Sequence, residues 1–247
     1  MGRLKVPLLQ LLSVAACLAL MEGAARTGLV NSLFVPAPSE AARAFLGFRG
    51  EMVPRLGQTL GKTLVAYVLA VGIGVSLGVL IGSLRYLYDV FNPFLVMLYG
   101  VPKILVLPWI LLIFGIGATP AIVYATLHGV FPIMLLVMGG VRDVDRVLIT
   151  VARSMGATTG QVYRKVVLPA ILPAVLAGMR LGIIFSLLGV LVVEMFAGIG
   201  GMGYILLTLS TAFRAADLFA ATALVSALSI AIVLGLESLN KRMGAWR

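Results

Sequence analysis

The stretch that decides the fold lies in the second half of the chain and reads Thr150-Val151-Ala152-Arg153-Ser154-Met155-Gly156, then nine residues, then Val166-Val167-Leu168-Pro169. It is a polar, basic segment between two long apolar runs. Residues 146–156 have helical character, and Gly156 is well placed to end that helix in a left-handed conformation. Residues 161–168 predict a second short helix, after which Pro169 and Pro173 mark the start of the next apolar run. The segment therefore predicts two short helices joined at a glycine, which form a compact knob.

The composition is that of an integral membrane protein. The chain has 247 residues, of which 61% are hydrophobic and 11% charged, and its mean hydropathy is +1.12. A soluble domain of this size cannot bury so much apolar surface. The apolar runs have helical length, whereas a β-barrel shows alternating segments of about ten residues. The fold class is therefore all-α, and the net charge of +10 lies mostly in the loops, where it fits membrane topology better than nucleic-acid binding.

Six apolar runs predict transmembrane helices at roughly 6–23, 60–83, 93–115, 119–140, 171–196 and 218–239. Each is near the length of about 20 residues that crosses a bilayer. Lys and Arg are more frequent in the loops on the side of the two termini, which predicts that both termini are cytoplasmic. Met1–Ala25 also resembles a signal peptide, with a basic start and an apolar run. Because the apolar residues continue through Met21 and no flexible tether follows, a retained span is favoured.

Prolines mark two irregular places along the chain. Val35-Pro36-Ala37-Pro38-Ser39-Glu40 is typical of an extended stretch that ends at a helix N-cap, and we expect Ser39 to cap a helix over residues 40–48. Pro102 and Pro108 are expected to bend the third span, since proline removes a backbone hydrogen bond. Because broken helices are not tolerated against lipid, this span should lie among other helices or line a cavity.

Two glycine motifs resemble nucleotide-binding loops without meeting their requirements. Gly57–Thr63 has three residues between its glycines where a P-loop needs four, so it is interpreted as the start of the second span, with Lys62 reaching the outer interface. Gly198-Ile199-Gly200-Gly201-Met202-Gly203 follows an apolar helix instead of a strand. It predicts a tight re-entrant or surface turn that uses positive φ angles at glycine.

No constellation of serine, cysteine or carboxylate residues supports catalysis. His128 is the only histidine and Cys17 the only cysteine, which excludes a His-based metal cluster and a disulfide framework. Asp143 and Asp145 flank Arg142 and Arg146 at a membrane boundary, where they are interpreted as a solvated ion-pair cluster. A membrane-bound enzyme is therefore disfavoured, and no cofactor or metal is expected on this chain.

Ionisable residues inside membrane spans are candidates for function. Lys103 lies about ten residues into the third span, or roughly 15 Å. His128 lies nine residues into the fourth span from the other side, so both are expected near the midplane. Glu194 lies near the outer end of the fifth span. Together with Pro102 and Met134, these residues are the candidates for a translocation path. Each ionisable one also has a structural alternative: Lys103 reaching the interface, His128 bonding a carbonyl, or Glu194 facing the outer interface.

The spacing of Ala152, Gly156, Leu168 and Pro169 resembles the "EAA" signature of permease subunits of bacterial ABC importers, which is Glu-Ala-Ala, three residues, Gly, nine residues and Ile-x-Leu-Pro. In that family the segment is a cytoplasmic loop that docks onto the ATPase. The resemblance implies an ATPase-coupling role for Arg146, Thr150, Ala152, Arg153, Ser154, Met155, Gly156, Ala157 and Tyr163. Thr150 and Val151 replace the Glu and the first Ala, so the ionic contact of the family is expected to shift to Arg153 or Arg146.

Further segments resemble the permeases for nitrate, aliphatic sulfonates and taurine: Val35–Pro38, Val101–Lys103 with Pro108, Phe114–Gly117 and Ala197–Tyr204. The resemblance implies a type I ABC importer permease in the bacterial inner membrane, with a transport domain over 35–247, a coupling loop over about 141–170, and an N-terminal helix and outer loop over 1–34. It also implies a permease dimer, most simply a homodimer, a cytoplasmic ATPase dimer that holds ATP and Mg, an extracytoplasmic binding protein, and a small anion as substrate.

A stand-alone channel or ion-coupled carrier is the alternative from another functional class. Such a protein needs polar or charged residues along several spans, and this chain has few. A stand-alone carrier also has no need of a docking knob.

Overall fold

The computed structural model describes residues 5–198 and 200–244, and the side chains of 8–198 and 200–238. The described chain is almost entirely helical. Its α-helices in chain order are α1 Lys5–Arg26, α2 Pro38–Ser83, α3 Arg85–Gly100, α4 Leu107–Phe114, α5 Ala118–Arg142, α6 Arg146–Ser154, α7 Thr159–Val162, α8 Leu168–Ala197, α9 Met202–Thr211 and α10 Ala215–Gly244. A 3₁₀ turn, Lys103–Val106, precedes α4, and a π turn, Tyr163–Val167, joins α7 to α8.

The centre of the fold is a bundle of α2, α5 and α8, which pack against one another along their lengths. Gly74, Gly78 and Gly82 form a stripe on α2 that faces α5. A Cβ atom at Gly78 would lie 2.8 Å from the carbonyl oxygen of Met134 and from Cβ of Val137. Small residues let membrane helices approach closely, where van der Waals contact replaces the hydrophobic drive available in water. The stripe is therefore what sets the distance between α2 and α5.

Five described helices are long and apolar enough to span a membrane, and the α3–α4 pair makes a sixth if it counts as one span. This agrees with the prediction of about six spans in an all-α membrane protein. The predicted first, fourth, fifth and sixth spans correspond to α1, α5, α8 and α10. The second is longer than predicted, because α2 runs for 46 residues without a break.

The start of α2 differs from the expectation. Ala37, with φ −64° and ψ 140°, occupies the N-cap position, Pro38 lies in the first turn, and the Glu40 carboxylate accepts from the Ala37 N–H at 3.2 Å. The predicted cap at Ser39 is wrong: its N–H and hydroxyl donate to the Glu22 carboxylate of α1 at 3.0 and 2.8 Å. The helix also does not end at residue 48 but continues through Pro54.

The third span is broken more sharply than two bending prolines suggested. The axes of α3 and α4, with its preceding 3₁₀ turn, differ by 88° across Val101 and Pro102. The residue before a proline avoids the helical region, and Val101 accordingly has φ −69° and ψ 131°. α3 buries none of its residues within the chain, whereas α4 buries Leu107 and Ile110 against α5, so only the α4 half of this span lies among other helices inside one copy.

The second short helix predicted over 161–168 is not separate. Helix begins at Thr159 and continues through the π turn into α8, so that residues 159–197 form one 39-residue helix. The Leu168 N–H donates to the carbonyl of Tyr163, five residues back, immediately before Pro169. The wider turn gives the proline ring room, since a proline otherwise clashes with the carbonyl one turn earlier.

The described glycines after α8 have the backbone angles that the predicted turn requires. Gly198 has φ +62° and Gly201 φ +129°, both in the region that favours glycine. Ile199 lies outside the described residues. The sequence did not predict α9, the short apolar helix that begins at Met202 directly after this turn.

Candidate functional site

The predicted coupling segment is a short helix with a cap at each end. The Asp145 carboxylate accepts from the Val147 N–H at 2.8 Å and so begins α6. The helix ends at Ser154, and Gly156 has φ +81°, which confirms the predicted left-handed termination. The Ala157 N–H donates to the Ala152 carbonyl at 3.0 Å, which closes the turn. These contacts give the segment a defined shape before any partner binds.

Asp145 and Thr150 have different roles from those expected. Asp145 is a helix cap, and Arg142 pairs with Asp89 of α3 at 3.7 Å, so the predicted solvated ion-pair cluster is wrong. Thr150 lies inside α6, where its hydroxyl donates to the Arg146 carbonyl at 2.9 Å. The carboxylate that favours the helix dipole is therefore supplied at Asp145 and not at the signature position 150.

The inner face of the segment is packed onto the bundle. Val144, Val162, Val167 and Ile171 belong to the same buried cluster as residues of α2 and α5. Among the partly buried side chains that pack against it are Ile149, Ala152, Ala157 and Tyr163. Three of the predicted coupling residues, Ala152, Ala157 and Tyr163, therefore help to hold the segment against the bundle.

The outer face of α6 combines exposed apolar and basic side chains. Val147, Leu148, Val151 and Met155 expose 62%, 51%, 51% and 82% of their surface. The predicted residues Arg146, Thr150, Arg153, Ser154, Met155 and Gly156 are also exposed. The sequence analysis missed Val147, Leu148 and Val151. Their spacing of three and four residues was the available signal, because it places them beside Met155 on one helical face.

Lys103 lies at the break between α3 and α4 and is surrounded by aromatic rings. Its Nζ is 4.6 Å from the ring centroid of Tyr99 and 5.0 Å from that of Phe131, and it donates to the Tyr99 carbonyl at 3.2 Å. Across the described side chains no ion pair includes Lys103. The charge is therefore stabilised by ring faces and one carbonyl alone.

His128 extends the same group of side chains. Its ring stacks on Phe185 of α8 with centroids 5.8 Å apart, and Phe185 contacts Tyr99 edge-on at 6.5 Å. Its Nδ1 is buried with no hydrogen-bond partner in the described structure. Tyr99, Lys103, His128, Phe131 and Phe185, here called the Lys103 cluster, are all half-buried. The structure thus brings together the predicted Lys103 and His128, and adds three aromatic residues that the sequence did not single out.

The other path candidates are not members of the Lys103 cluster. Pro102 occupies the position before the 3₁₀ turn and is exposed. Met134 is 3% exposed and packs with Ile81 and Met138, in a cluster that Phe131 touches from its edge. Their role in a path remains a prediction, although the burial of Met134 leaves little of it to line a channel.

Glu194 is fully buried and joins α2, α8 and α9. Lys62 donates to its Oε1 at 2.9 Å, the Thr59 hydroxyl to Oε2 at 2.8 Å, and the Gly203 N–H to Oε2 at 2.9 Å. Lys62 was expected to extend to the outer interface; in the structure it pairs with this carboxylate and also donates to the Gly200 carbonyl at 2.8 Å. Because Gly203 lies in the first turn of α9, the carboxylate caps that helix. The bonding fits a structural role for Glu194.

No three His, Cys, Asp or Glu side chains converge in a metal-binding arrangement within the described part of the chain. The Gly57–Thr63 segment lies inside α2, and its Lys62 is engaged by Glu194, so it does not form a phosphate-binding loop.

Comparison with known proteins gives consistent matches. The family described as "Binding-protein-dependent transport system inner membrane component" matches residues 70–245. The chain is 28% identical over 225 residues to the taurine transport system permease protein TauC of Escherichia coli (strain K12), covering 88% of this chain and 82% of that protein. It is 34% identical over 116 residues to the putative aliphatic sulfonates transport permease protein SsuC of Bacillus subtilis (strain 168), covering 47% of this chain and 42% of that protein.

Solved structures show the same fold. An inward-facing structure of the MetNI methionine ABC transporter matches with a TM-score of 0.69 and 25% identity, over 77% of this chain and 94% of that one. An amino acid ABC transporter matches with a TM-score of 0.62 and 19% identity, over 81% and 95%, and supports the fold alone. The predicted type I importer fold is confirmed. Since the family match covers more than half of the chain, this chain belongs to the inner-membrane components of binding-protein-dependent transport systems, the permease subunits of ABC importers.

Proposed function

We propose that this chain pairs with a second copy of itself to carry a small anion across the inner membrane, and that α6 passes the movement of a cytoplasmic ATPase to the bundle. The family implies an ATPase and a substrate-binding protein as partners. On this proposal ATP and Mg belong to the ATPase, and this chain binds no cofactor of its own. The end of the bundle that carries α6 is then cytoplasmic, as are both termini.

The observation that carries the coupling role is the division of α6 into two faces. Its inner face packs on the buried cluster that includes Val162 and Ile171, whereas Val147, Val151 and Met155 are exposed. Exposed apolar side chains rimmed by Arg146 and Arg153 are typical of a protein-binding patch. A partner that moves α6 therefore moves the helices packed beneath it, which is the two-state coupling that alternating access requires.

The broken third span supports the pairing with a second copy. Val101 and Pro102, which join α3 to α4, are exposed in a single chain, and lipid cannot satisfy the backbone groups freed by such a break. Lys103 at this break faces the same difficulty, because an unpaired cation against lipid is costly. A second permease that covers this face, with a polar path between the two copies, removes both problems. Residues 35–247 then form the transport domain, to which 1–34 adds one helix and a loop.

An anionic substrate agrees with two separate observations. The relatives TauC and SsuC are named for taurine and aliphatic sulfonates, which suggests a related acid for this chain. Independently, Lys103 has no carboxylate partner among the described side chains, so an anion that passes it is attracted and not repelled.

The test is co-expression with the ATPase and binding protein of the same transporter. We expect Val151→Asp, which places a charge in the exposed apolar face, to abolish co-purification of the ATPase and ATP-driven uptake. Thr211→Asp, at an exposed position on α9, is the matched control and should leave both intact. Normal co-purification and uptake with Val151→Asp would contradict the coupling role. Uptake by the purified permease without any ATPase would favour the stand-alone carrier.

A further inference from the structure

The Lys103 cluster offers one cation and several ring faces, but few other polar groups. Tyr99 and Phe131 lie within cation–π distance of Nζ, and Phe185 lies between Tyr99 and His128. An ammonium group has three N–H donors, and the Tyr99 carbonyl takes one of them. Two donors therefore remain for a ligand.

The surroundings of this cation are apolar in character. Tyr99, Phe131 and Phe185 come from three elements, α3, α5 and α8, that meet at the break in the third span. A strongly hydrated inorganic anion gives up its water at high cost, and this cluster supplies too few donors to replace that water. An organic anion with one charged head and an apolar body needs fewer donors, because its body gains from contact with the rings.

His128 carries an unsatisfied polar atom within the same cluster. Its Nδ1 is buried and has no partner in the described structure, although its ring is held between Phe185 and Tyr124. A buried polar atom without a partner costs free energy unless a ligand or water satisfies it. Because this atom has almost no accessible surface in the structure, the anionic head is assigned to Lys103 alone.

From this geometry we propose that the Lys103 cluster is a selectivity site for organic anions that carry one anionic head beside a planar or branched apolar body. The head is recognised by Lys103, and the body packs against Tyr99, Phe131 and Phe185. The inference rests on the proposed anion path and narrows its substrate class. It separates such acids from compact inorganic anions such as nitrate and sulfate.

The test uses the permease–ATPase complex in lipid nanodiscs, without the binding protein, so that only the membrane site contributes. Saturable binding of benzenesulfonate, methanesulfonate and sulfate is measured by calorimetry, with empty nanodiscs to subtract partition into lipid. We expect benzenesulfonate to bind roughly 3- to 10-fold more tightly than methanesulfonate, since contact with aromatic faces contributes about 0.5–1.5 kcal/mol. Sulfate should bind most weakly.

Two variants and a control decide whether the cluster is responsible. Phe131→Ala should bring the affinities for benzenesulfonate and methanesulfonate close together, and Lys103→Met should abolish binding of both. Phe94→Ala removes an aromatic side chain of α3 that is 61% exposed and makes no ring or cation–π contact with the cluster among the described residues, and should change nothing. Equal affinities in the unaltered complex, no saturable binding, or a preference that survives Phe131→Ala would each overturn the proposal.

The outcomes also separate this inference from the proposed function. A complex that assembles with its ATPase and imports an anion, yet shows no preference for the apolar body, refutes only the selectivity site. Failure of the ATPase to associate with the unaltered permease refutes the proposed coupling role of α6.

Discussion

Lys62 of α2 and Glu194 of α8 form an ion pair at the end of the bundle opposite α6, with 2.9 Å between Nζ and Oε1. The Glu194 side chain is fully buried and that of Lys62 is 15% exposed. The carboxylate also accepts from Thr59 and from the first turn of α9, so its lone pairs are well satisfied. Removal of either charge leaves the other buried without a counter-ion.

Glu194→Gln should therefore destabilise the permease by about 3–5 kcal/mol, the cost of an uncompensated buried charge. The thermal midpoint of the purified protein in detergent measures the effect. Glu51→Gln, on the exposed side of α2, is the control and should leave the midpoint unchanged. In a double-mutant cycle, Lys62→Met combined with Glu194→Gln should cost clearly less than the sum of the two single changes. Additive costs would show that the pair is not coupled.

The glycine stripe on α2 gives a prediction with a control on the same helix. Gly78→Leu should prevent correct packing, because its Cβ would lie 2.8 Å from the Met134 carbonyl on α5. We expect a loss of at least about 3 kcal/mol or no folded protein at all. At Gly72, nothing lies within 4 Å of an added Cβ, so Gly72→Leu should be tolerated. Size-exclusion chromatography of the two proteins makes the comparison, and equal behaviour would contradict the proposed contact.

The termination of α6 can be tested with two glycines that differ in backbone conformation. Gly156 has φ +81° and Gly160 does not have a positive φ, while neither has an atom within 4 Å of an added Cβ. Gly156→Ala should cost about 1 kcal/mol locally and weaken ATPase coupling, whereas Gly160→Ala should not. The measurement is stimulation of ATP hydrolysis by the loaded binding protein in proteoliposomes. Identical stimulation in both variants would mean that the shape of this turn is not needed.

Lys103→Met should reduce anion uptake about tenfold or more without loss of assembly, because a charge-assisted hydrogen bond contributes about 1.5–3 kcal/mol. Lys103→Arg should restore much of the uptake, since the cation is retained. The measurement is uptake of radiolabelled substrate into proteoliposomes, with ATPase co-purification as the assembly control. Unchanged uptake in Lys103→Met would remove this residue from the transport path.

Much of the fold could be predicted because long apolar runs and the spacing of Gly156 from Pro169 are local signals. The positive φ at Gly156 and the turn containing Gly198 and Gly201 follow from glycine chemistry in the same way. The sequence-based interpretation erred where the contacts of a side chain are made with a residue distant in the sequence. Ser39 binds Glu22 instead of capping α2, and the ion pair of Lys62 with Glu194, 132 positions away, was not foreseen.

The site was only partly predictable for a related reason. Lys103 and His128 could be singled out as ionisable residues in apolar runs, but the rings around them come from three helices and have no common sequence pattern. The sharp break at Pro102 was underestimated, because a proline alone does not reveal whether the surrounding helices tolerate a bend or a reversal.

The central claim is that the exposed face of α6 contacts the ATPase, and site-specific photocrosslinking tests it most directly. A benzophenone amino acid at Met155, which directly follows α6 and is 82% exposed, should crosslink to the ATPase in the assembled complex. The same group at Phe213, 63% exposed beyond α9 at the opposite end of the bundle, should not. The account predicts an ATPase crosslink from position 155 alone. No crosslink from 155 in a complex that hydrolyses ATP and transports, or a crosslink from 213, would contradict it.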